Sequence, residues 1–75
     1  MKLKQAEKQA RKLSLPEGQV CWIAVDDCDE IYLYKDIEPE YNIYLGWTNS
    51  DNNTRLTGLY TGNKSNSQAI RKFTI

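Results

Sequence analysis

Histidine is absent from the sequence, and cysteine occurs only twice. Without histidine no Ser-His or Cys-His pair can form, so a general base has to be a carboxylate or a lysine. Neither cysteine has a CxxC partner, which together with the missing histidine disfavours a zinc site within one chain. The glycines do not form a phosphate-cradling motif. We therefore predict no enzymatic activity, no metal and no cofactor.

Long apolar runs are absent as well. No stretch approaches the roughly 18 apolar residues that a membrane span requires. The opening "MKLKQAEKQARK" lacks the apolar region of a secretory signal. We expect a cytoplasmic protein that has reduced cysteines and does not associate with a membrane.

The formal net charge is zero, because 10 basic residues balance 10 acidic ones. A long-range field that would steer the chain onto DNA or a membrane is therefore not expected. The charges are nevertheless segregated along the chain, which we interpret mainly as solvated faces and intramolecular complementarity. The N-terminal basic residues are Lys2, Lys4, Lys8, Arg11 and Lys12. The acidic residues of the middle are Asp26, Asp27, Asp29, Glu30, Asp36, Glu38 and Glu40.

The 75 residues allow one domain, 1–75, with a small core that self-association could supplement. Residues 1–14 predict an amphipathic helix, since apolar side chains recur at helical spacing and strong helix formers fill the other positions. The "LPEG" stretch at 15–18 then ends the helix. The apolar helix positions are Leu3, Ala6, Ala10 and Leu13.

Residues 19–61 predict a four-stranded antiparallel meander. "QVCWIAV", "EIYLYK", "NIYLGWT" and "TRLTGLYT" are each rich in β-branched and aromatic residues. "DDCD" and "NSDNN" are turn signals between them. The fold class is therefore α+β, with the N-terminal helix packed on the sheet.

Residues 62–75 predict a loop and a short terminal element over 66–75. Ser65 followed by Gln68 resembles a helical capping box. Alternation through Ala69, Arg71, Phe73 and Ile75 favours a closing strand instead. Both alternatives are open, and we favour the short helix.

The acidic stretch "CWIAVDDCDEIYLYKD" at 21–36 predicts a hairpin. Cys28 then lies at the tip, and Cys21 lies about 16 Å of strand away at roughly 3.3 Å per residue. That separation exceeds the reach of a disulfide or a shared metal. The stretch lacks the glycine of a calcium-binding loop, so we interpret its aspartates as turn-forming and solubilising. Asp26 and Glu30 could face each other as a carboxylate pair, but so small a sheet offers no cleft for them.

The predicted strands are rich in aromatic residues. Tyr32 and Tyr34 alternate with aliphatic residues of their strand, and Ile43 and Leu45 likewise alternate with Tyr44. One helix can cover only one face of the sheet, so we expect it to bury the aliphatic side, which includes Ile43 and Leu45. A tyrosine face would then stay at least partly open. The register of the first strand is undetermined, because a three-residue loop places Trp22 with the tyrosines and a four-residue loop places it beside Leu33.

"LPEG", "AVDDCDEIYLY" and "LGW", within residues 15–47, resemble stretches of small orphan proteins of bacteriophages and prophages. Cys28 departs from the Gly or Asn expected at that turn. The resemblance implies an accessory protein that binds a host protein and blocks or redirects it. It carries over no active-site residue.

We therefore predict a non-enzymatic protein-interaction module, with a phage-type inhibitor or modulator of a host or defence protein as the form that the resemblance implies. Aromatic residues on a sheet face are typical of interface centres. The alternatives are a homodimeric structural protein and a nucleic-acid-binding protein that uses the basic helix. The predicted partner-binding residues are Trp22, Tyr32, Tyr34, Tyr44, Trp47, Asp27 and Asp29. The residues of the nucleic-acid alternative are Lys4, Lys8, Arg11 and Lys12.

Overall fold

The protein has an α+β fold in the computed structural model, which describes residues 1–48, 53–63 and 69–75. A four-stranded antiparallel sheet has the order β5-β2-β1-β6, and β3 and β4 form a separate two-stranded sheet. The expected helix on a four-stranded antiparallel sheet is confirmed. The elements in chain order are α1 (Leu3–Arg11), β1 (Val20–Val25), β2 (Glu30–Lys35), β3 (Tyr41–Asn42), β4 (Gly46–Trp47), β5 (Asn53–Leu59) and β6 (Ile70–Thr74).

The helix α1 is shorter than predicted. Its start is fixed by the Gln5 side chain, whose Oε1 accepts the Lys2 backbone N–H at 2.8 Å. Ala6 and Ala10 are fully buried against the sheet, as their spacing predicts. Leu13 lies beyond the helix end and is 40% exposed, so its predicted place in the core is wrong.

The hairpin between β1 and β2 has a three-residue loop. Asp29 adopts a left-handed conformation at φ 62°, and its N–H donates to the Asp26 carbonyl at 3.2 Å. This arrangement is a turn followed by a bulge, a common way to close a three-residue hairpin loop. Trp22 consequently pairs with Tyr34, which settles the register in favour of the tyrosine side.

The predicted meander is wrong at its third strand. Residues 42–48 do not join the main sheet, because the chain reverses after Asn42 and pairs Tyr41 with Trp47. The Asn42 side chain stabilises this reversal by accepting the backbone N–H groups of Tyr44 and Leu45 at 2.7 and 3.2 Å. The two short strands and their turn are called the β3–β4 hairpin below.

The favoured C-terminal helix is also wrong, since Ile70–Thr74 is a strand, β6. It pairs with the edge of β1 that a meander would leave open, and it buries Phe73. The alternation pattern thus predicted this segment correctly, since Ala69 and Ile75 pack on the same side as Phe73. The proposed capping box, Ser65 and Gln68, lies outside the described residues, as does most of the predicted turn at 49–53.

Each face of the main sheet carries its own core cluster. The first, called the helix face, is almost entirely aliphatic and packs under α1. The second, called the hairpin face, centres on Trp22, Ala24 and Tyr34, and Trp47 of β4 packs against it. The sheet residues of the helix face are Cys21, Ile23, Val25, Ile31, Leu33, Leu56 and Phe73.

Candidate functional site

Two of the predicted binding aromatics are buried. Trp22 is 7% exposed and Tyr34 is 2% exposed, so the expectation of an open tyrosine face is wrong at these positions. Tyr32 and Trp47 are half-buried beside them. The physical reason is that the β3–β4 hairpin lies over this face and brings Trp47 onto it. The predicted meander would instead have placed residues 42–48 within the sheet and left this face uncovered.

Hydrogen bonds anchor the base of the β3–β4 hairpin to the main sheet. The indole Nε1 of Trp47 donates to the Val25 carbonyl oxygen at 2.8 Å. Trp47 also meets the Tyr41 ring edge-on, with the ring centroids 5.3 Å apart. The Tyr41 hydroxyl donates to Asp27 Oδ1 at 2.9 Å, so both tyrosine and tryptophan bind close to the β1–β2 turn. An edge-to-face aromatic pair and two hydrogen bonds fix the orientation of this hairpin.

The turn of the β3–β4 hairpin exposes three consecutive apolar side chains, which we call the apolar tip. Ile43 is 78% exposed, Tyr44 is 87% exposed and Leu45 is 79% exposed. Single exposed apolar residues are ordinary, whereas three consecutive exposed apolar side chains are unusual on a folded protein. Of these three residues only Tyr44 belongs to the predicted binding set.

Sequence reasoning missed Ile43 and Leu45 because it placed them on the buried side of a strand. The signal that identifies the turn was present in the sequence. The Asn42 side chain can accept backbone hydrogen bonds in a turn, and glycine is the residue that most easily adopts a positive φ, which is 76° at Gly46. Together they bracket a three-residue reversal that a run of β-forming side chains conceals.

The aspartates of the β1–β2 turn stabilise the turn itself. Asp26 Oδ1 accepts the N–H groups of Cys28 and Glu30, each at 2.9 Å. Asp29 takes the left-handed position, and its carbonyl accepts the Tyr60 N–H at 2.8 Å. The interpretation of this stretch as turn-forming is therefore confirmed at these residues. The charges of Asp26 and Asp27 still lie near the apolar tip, because both residues line a cavity that the tip also lines.

A cavity of about 440 Å³ opens between the apolar tip and the β1–β2 turn. Its size falls within the range of pockets that bind small ligands. Its wall combines carboxylates, aromatic rings and aliphatic side chains. The lining residues are Asp26, Asp27, Cys28, Tyr32, Tyr34, Ile43, Tyr44, Leu45, Gly46, Trp47 and Asn53. Of the predicted binding residues, Asp29 and Trp22 do not line it.

Tyr32 is held at the floor of this region by a polar chain. Its hydroxyl donates to Glu30 Oε2 at 2.7 Å, and Glu30 Oε1 lies 3.3 Å from Arg55 Nη2. The hydrogen bond to the Glu30 carboxylate, with burial as the next cause, raises the pKa of Tyr32 to about 12. The phenol therefore stays a neutral hydrogen-bond donor at any physiological pH.

The basic residues of α1 do not act as one group. Arg11 lies 3.2 Å from Glu7, donates to the Thr74 carbonyl at 2.9 Å, and stacks over the Phe73 ring. Lys4, Lys8 and Lys12 are exposed. The arginine of the nucleic-acid alternative is thus part of the contact between α1 and β6.

The two cysteines lie apart and are both unbridged. Cys21 is buried in the helix face, and burial raises the pKa of its thiol. Cys28 is exposed in the β1–β2 turn and lines the cavity. Among the residues with described positions, no group of three or more potential metal-binding side chains comes together.

Comparison of the chain with protein-family models, with curated proteins and with solved structures finds no match. Within ranges 1–48, 53–63 and 69–75, no helix has both the length and the apolar character to span a membrane.

Proposed function

We propose that the chain is a non-enzymatic protein-interaction module that binds its partner through the apolar tip. The observation that carries this proposal is the contiguous exposure of Ile43, Tyr44 and Leu45 on an anchored hairpin. Partner contact would remove these side chains from water, and each fully buried aliphatic side chain contributes about 1.5–3 kcal/mol.

The anchoring of the β3–β4 hairpin supports this role. Trp47 and Tyr41 hold its base against the β1–β2 turn, so the tip is presented in one orientation before binding. A preorganised surface loses less conformational entropy on association than a loop that must order itself. Asp27 supplies a charged rim beside the apolar centre, the arrangement that protein interfaces commonly have.

The partner class remains the one that the phage resemblance implies, a host or defence protein that the module blocks or redirects. A surface that binds without chemistry is sufficient for such a role. Trp22 and Tyr34 serve it indirectly in this proposal, since they form the buried floor on which the β3–β4 hairpin rests.

The test is a pull-down from nuclease-treated bacterial lysate with matched variants. Ile43→Ser/Leu45→Ser removes the apolar tip, and Leu13→Ser/Leu59→Ser removes two other exposed leucines away from it. We expect a stoichiometric band with the native chain and the control variant, and none with the tip variant, while circular dichroism shows all three folded. A band that persists in the tip variant, or that the control variant also loses, contradicts the proposal.

A homodimer is the second candidate, and the edges of the main sheet favour a specific form of it. The outer edge of β5 is covered, because the Gln9 side chain bonds to both the N–H and the carbonyl of Thr57, at 2.9 and 3.4 Å. The other edge strand is β6, where Arg11 occupies the Thr74 carbonyl and the part before Thr74 could pair with β6 of a second copy. Sedimentation distinguishes the candidates, because this form predicts a dimer at low micromolar concentration that Lys72→Pro abolishes.

A further inference from the structure

We infer that the cavity beside the apolar tip receives an arginine side chain of the partner, from a segment in which an apolar residue neighbours that arginine. The inference rests on the proposed function and specifies the chemistry of the partner. It is carried by the composition of the cavity wall, by the charge of that wall and by its position beside the tip.

The charge of the wall selects a cation. Asp26 and Asp27 both line the cavity, and the described residues that line it include neither lysine nor arginine. An anionic ligand, including a nucleic-acid phosphate, would be repelled at this site. Asp26 is half-buried, so its carboxylate attracts a guanidinium more strongly than one at an open surface does, and the exposed Asp27 adds to the negative charge of the wall.

The rings of the wall select arginine over a compact cation. Tyr32, Tyr34, Tyr44 and Trp47 all contribute to the lining. A guanidinium stacks on aromatic faces and forms paired hydrogen bonds with a carboxylate, whereas an ammonium is more strongly hydrated and lacks the planar face. The aliphatic stem of arginine also fits such a wall, since long cationic side chains cover apolar surface while the head meets the charge. A metal ion would find oxygen ligands on one side and rings on the other.

The position of the cavity favours a peptide segment over a free small cation. Ile43, Tyr44 and Leu45 form one wall of the cavity and are also the exposed tip. A ligand that fills the cavity is therefore in reach of apolar surface that only a further, neighbouring side chain can cover. This places an apolar residue of the partner beside its arginine.

The experiment is selection of peptides from an unbiased random library against the whole chain, after which the binding of each enriched peptide is measured on the native chain and on Ile43→Ser/Leu45→Ser. We expect enriched peptides to contain arginine next to an apolar residue. Asp27→Asn should weaken their binding about threefold to fivefold, because it removes an exposed charge from the cavity wall and retains an oxygen that accepts the Tyr41 hydroxyl. The matched control is Asp29→Asn, which removes a charge from the same turn outside the cavity, suits the left-handed conformation, and should change binding less than about twofold.

The thiol of Cys28 reports where a peptide binds. Because Cys28 lines the cavity and Cys21 is buried, a bound peptide should slow alkylation at Cys28. The inference is overturned if the enriched peptides lack arginine, if lysine is enriched equally, if Asp27→Asn and Asp29→Asn act alike, or if no peptide is enriched. Peptides that lack arginine but need the apolar tip leave the proposed function intact. Peptides that bind the tip variant equally well contradict the proposed function itself.

Discussion

The two faces of the main sheet are covered in different ways. On the helix face, α1 lays alanines on aliphatic strand residues, and Ile23, Val25 and Ile31 are fully buried. On the hairpin face, the two-residue strands β3 and β4 cover the sheet by bringing Trp47 onto Trp22 and Tyr34. The helix ends without exposing a comparable apolar group, whereas the β3–β4 hairpin continues into three exposed apolar side chains.

This difference separates folding from binding. The helix face forms a buried core, and it stabilises the fold through apolar side chains that a binding partner cannot contact. The hairpin face adds less burial, and its polar contacts fix the direction in which the tip points. Substitutions on the two faces should therefore change different measured quantities.

The largest expected effect is on the helix face. Leu33→Ala removes a buried side chain beneath α1 and should lower the free energy of unfolding by about 2–5 kcal/mol, because it leaves a cavity in a packed core. Chemical denaturation measures this change. A loss comparable to that of an exposed leucine would show that the helix face is not the folding core.

On the hairpin face, Trp47→Ala should lower the free energy of unfolding by a smaller amount, about 1–3 kcal/mol. The variant loses partly buried packing and leaves the Val25 carbonyl without the indole donor. Amide exchange at Tyr41 and Asn42 should rise to that of an open loop while β1 and β2 stay protected. Trp47→Phe, the matched control, retains a ring and should lose mainly the hydrogen bond.

The change in the free energy of unfolding should differ most between substitutions on the helix face and substitutions in the apolar tip. Ile43→Ser/Leu45→Ser should change the free energy of unfolding by no more than about 0.5 kcal/mol, since both side chains are already exposed. Denaturation curves that overlay those of the native chain would confirm the separation. A large shift would show that the tip contributes to folding.

The pH dependence also differs between the faces, first at Tyr32. Its pKa is raised to about 12, against 10.0 for an ordinary tyrosine, mainly by its hydrogen bond to Glu30. The stabilisation from this hydrogen bond is therefore fully present below pH 10 and is lost as the pH rises towards 12. Tyrosinate absorbance during alkaline titration reports it, and Glu30→Gln should move the ionisation of Tyr32 to lower pH. An unchanged titration in that variant would mean that Glu30 is not the cause.

A small effect is also expected at Glu7, which joins α1 to β6. Arg71 Nε lies 2.9 Å from its Oε1, and this hydrogen bond, helped by Arg11, lowers the pKa of Glu7 despite its partial burial. The stabilisation is present above the ordinary glutamate pKa and is lost as the pH falls through the folded-state value. Glu7→Gln should cost below about 1 kcal/mol at neutral pH, because both arginines are well exposed. Its cost should vanish in acid, and a cost that persists there would point to packing.

The sequence predicts the helix and the first hairpin because short-range patterns determine both. Ala6 and Ala10 recur at helical spacing, and "DDCD" supplies its own turn chemistry. The C-terminal strand was ambiguous because ten residues carry two competing patterns, and only the open edge of β1 decides between them. That edge is a property of the folded sheet and cannot be read from residues 66–75 alone.

Strand propensity conceals the apolar tip in the sequence for a related reason. Side chains such as Ile43 and Leu45 favour a strand wherever they occur, so propensity predicts a third strand. The chain reverses at Asn42 instead, because the reversal lets Trp47 pack on the hairpin face and donate its indole N–H to the Val25 carbonyl. Long-range contact decided the structure here, and it turned predicted core residues into the most exposed apolar surface of the described chain.

Photo-crosslinking at the tip tests the central claim most directly. Tyr44→p-benzoylphenylalanine places the reactive group on the most exposed residue of the apolar tip, and the same substitution at Leu59 is the control on the edge of the main sheet. The account predicts one covalent adduct of defined mass from position 44 and none from position 59. An equal adduct from both positions, or no adduct at position 44 from a chain that still captures its partner, would contradict it.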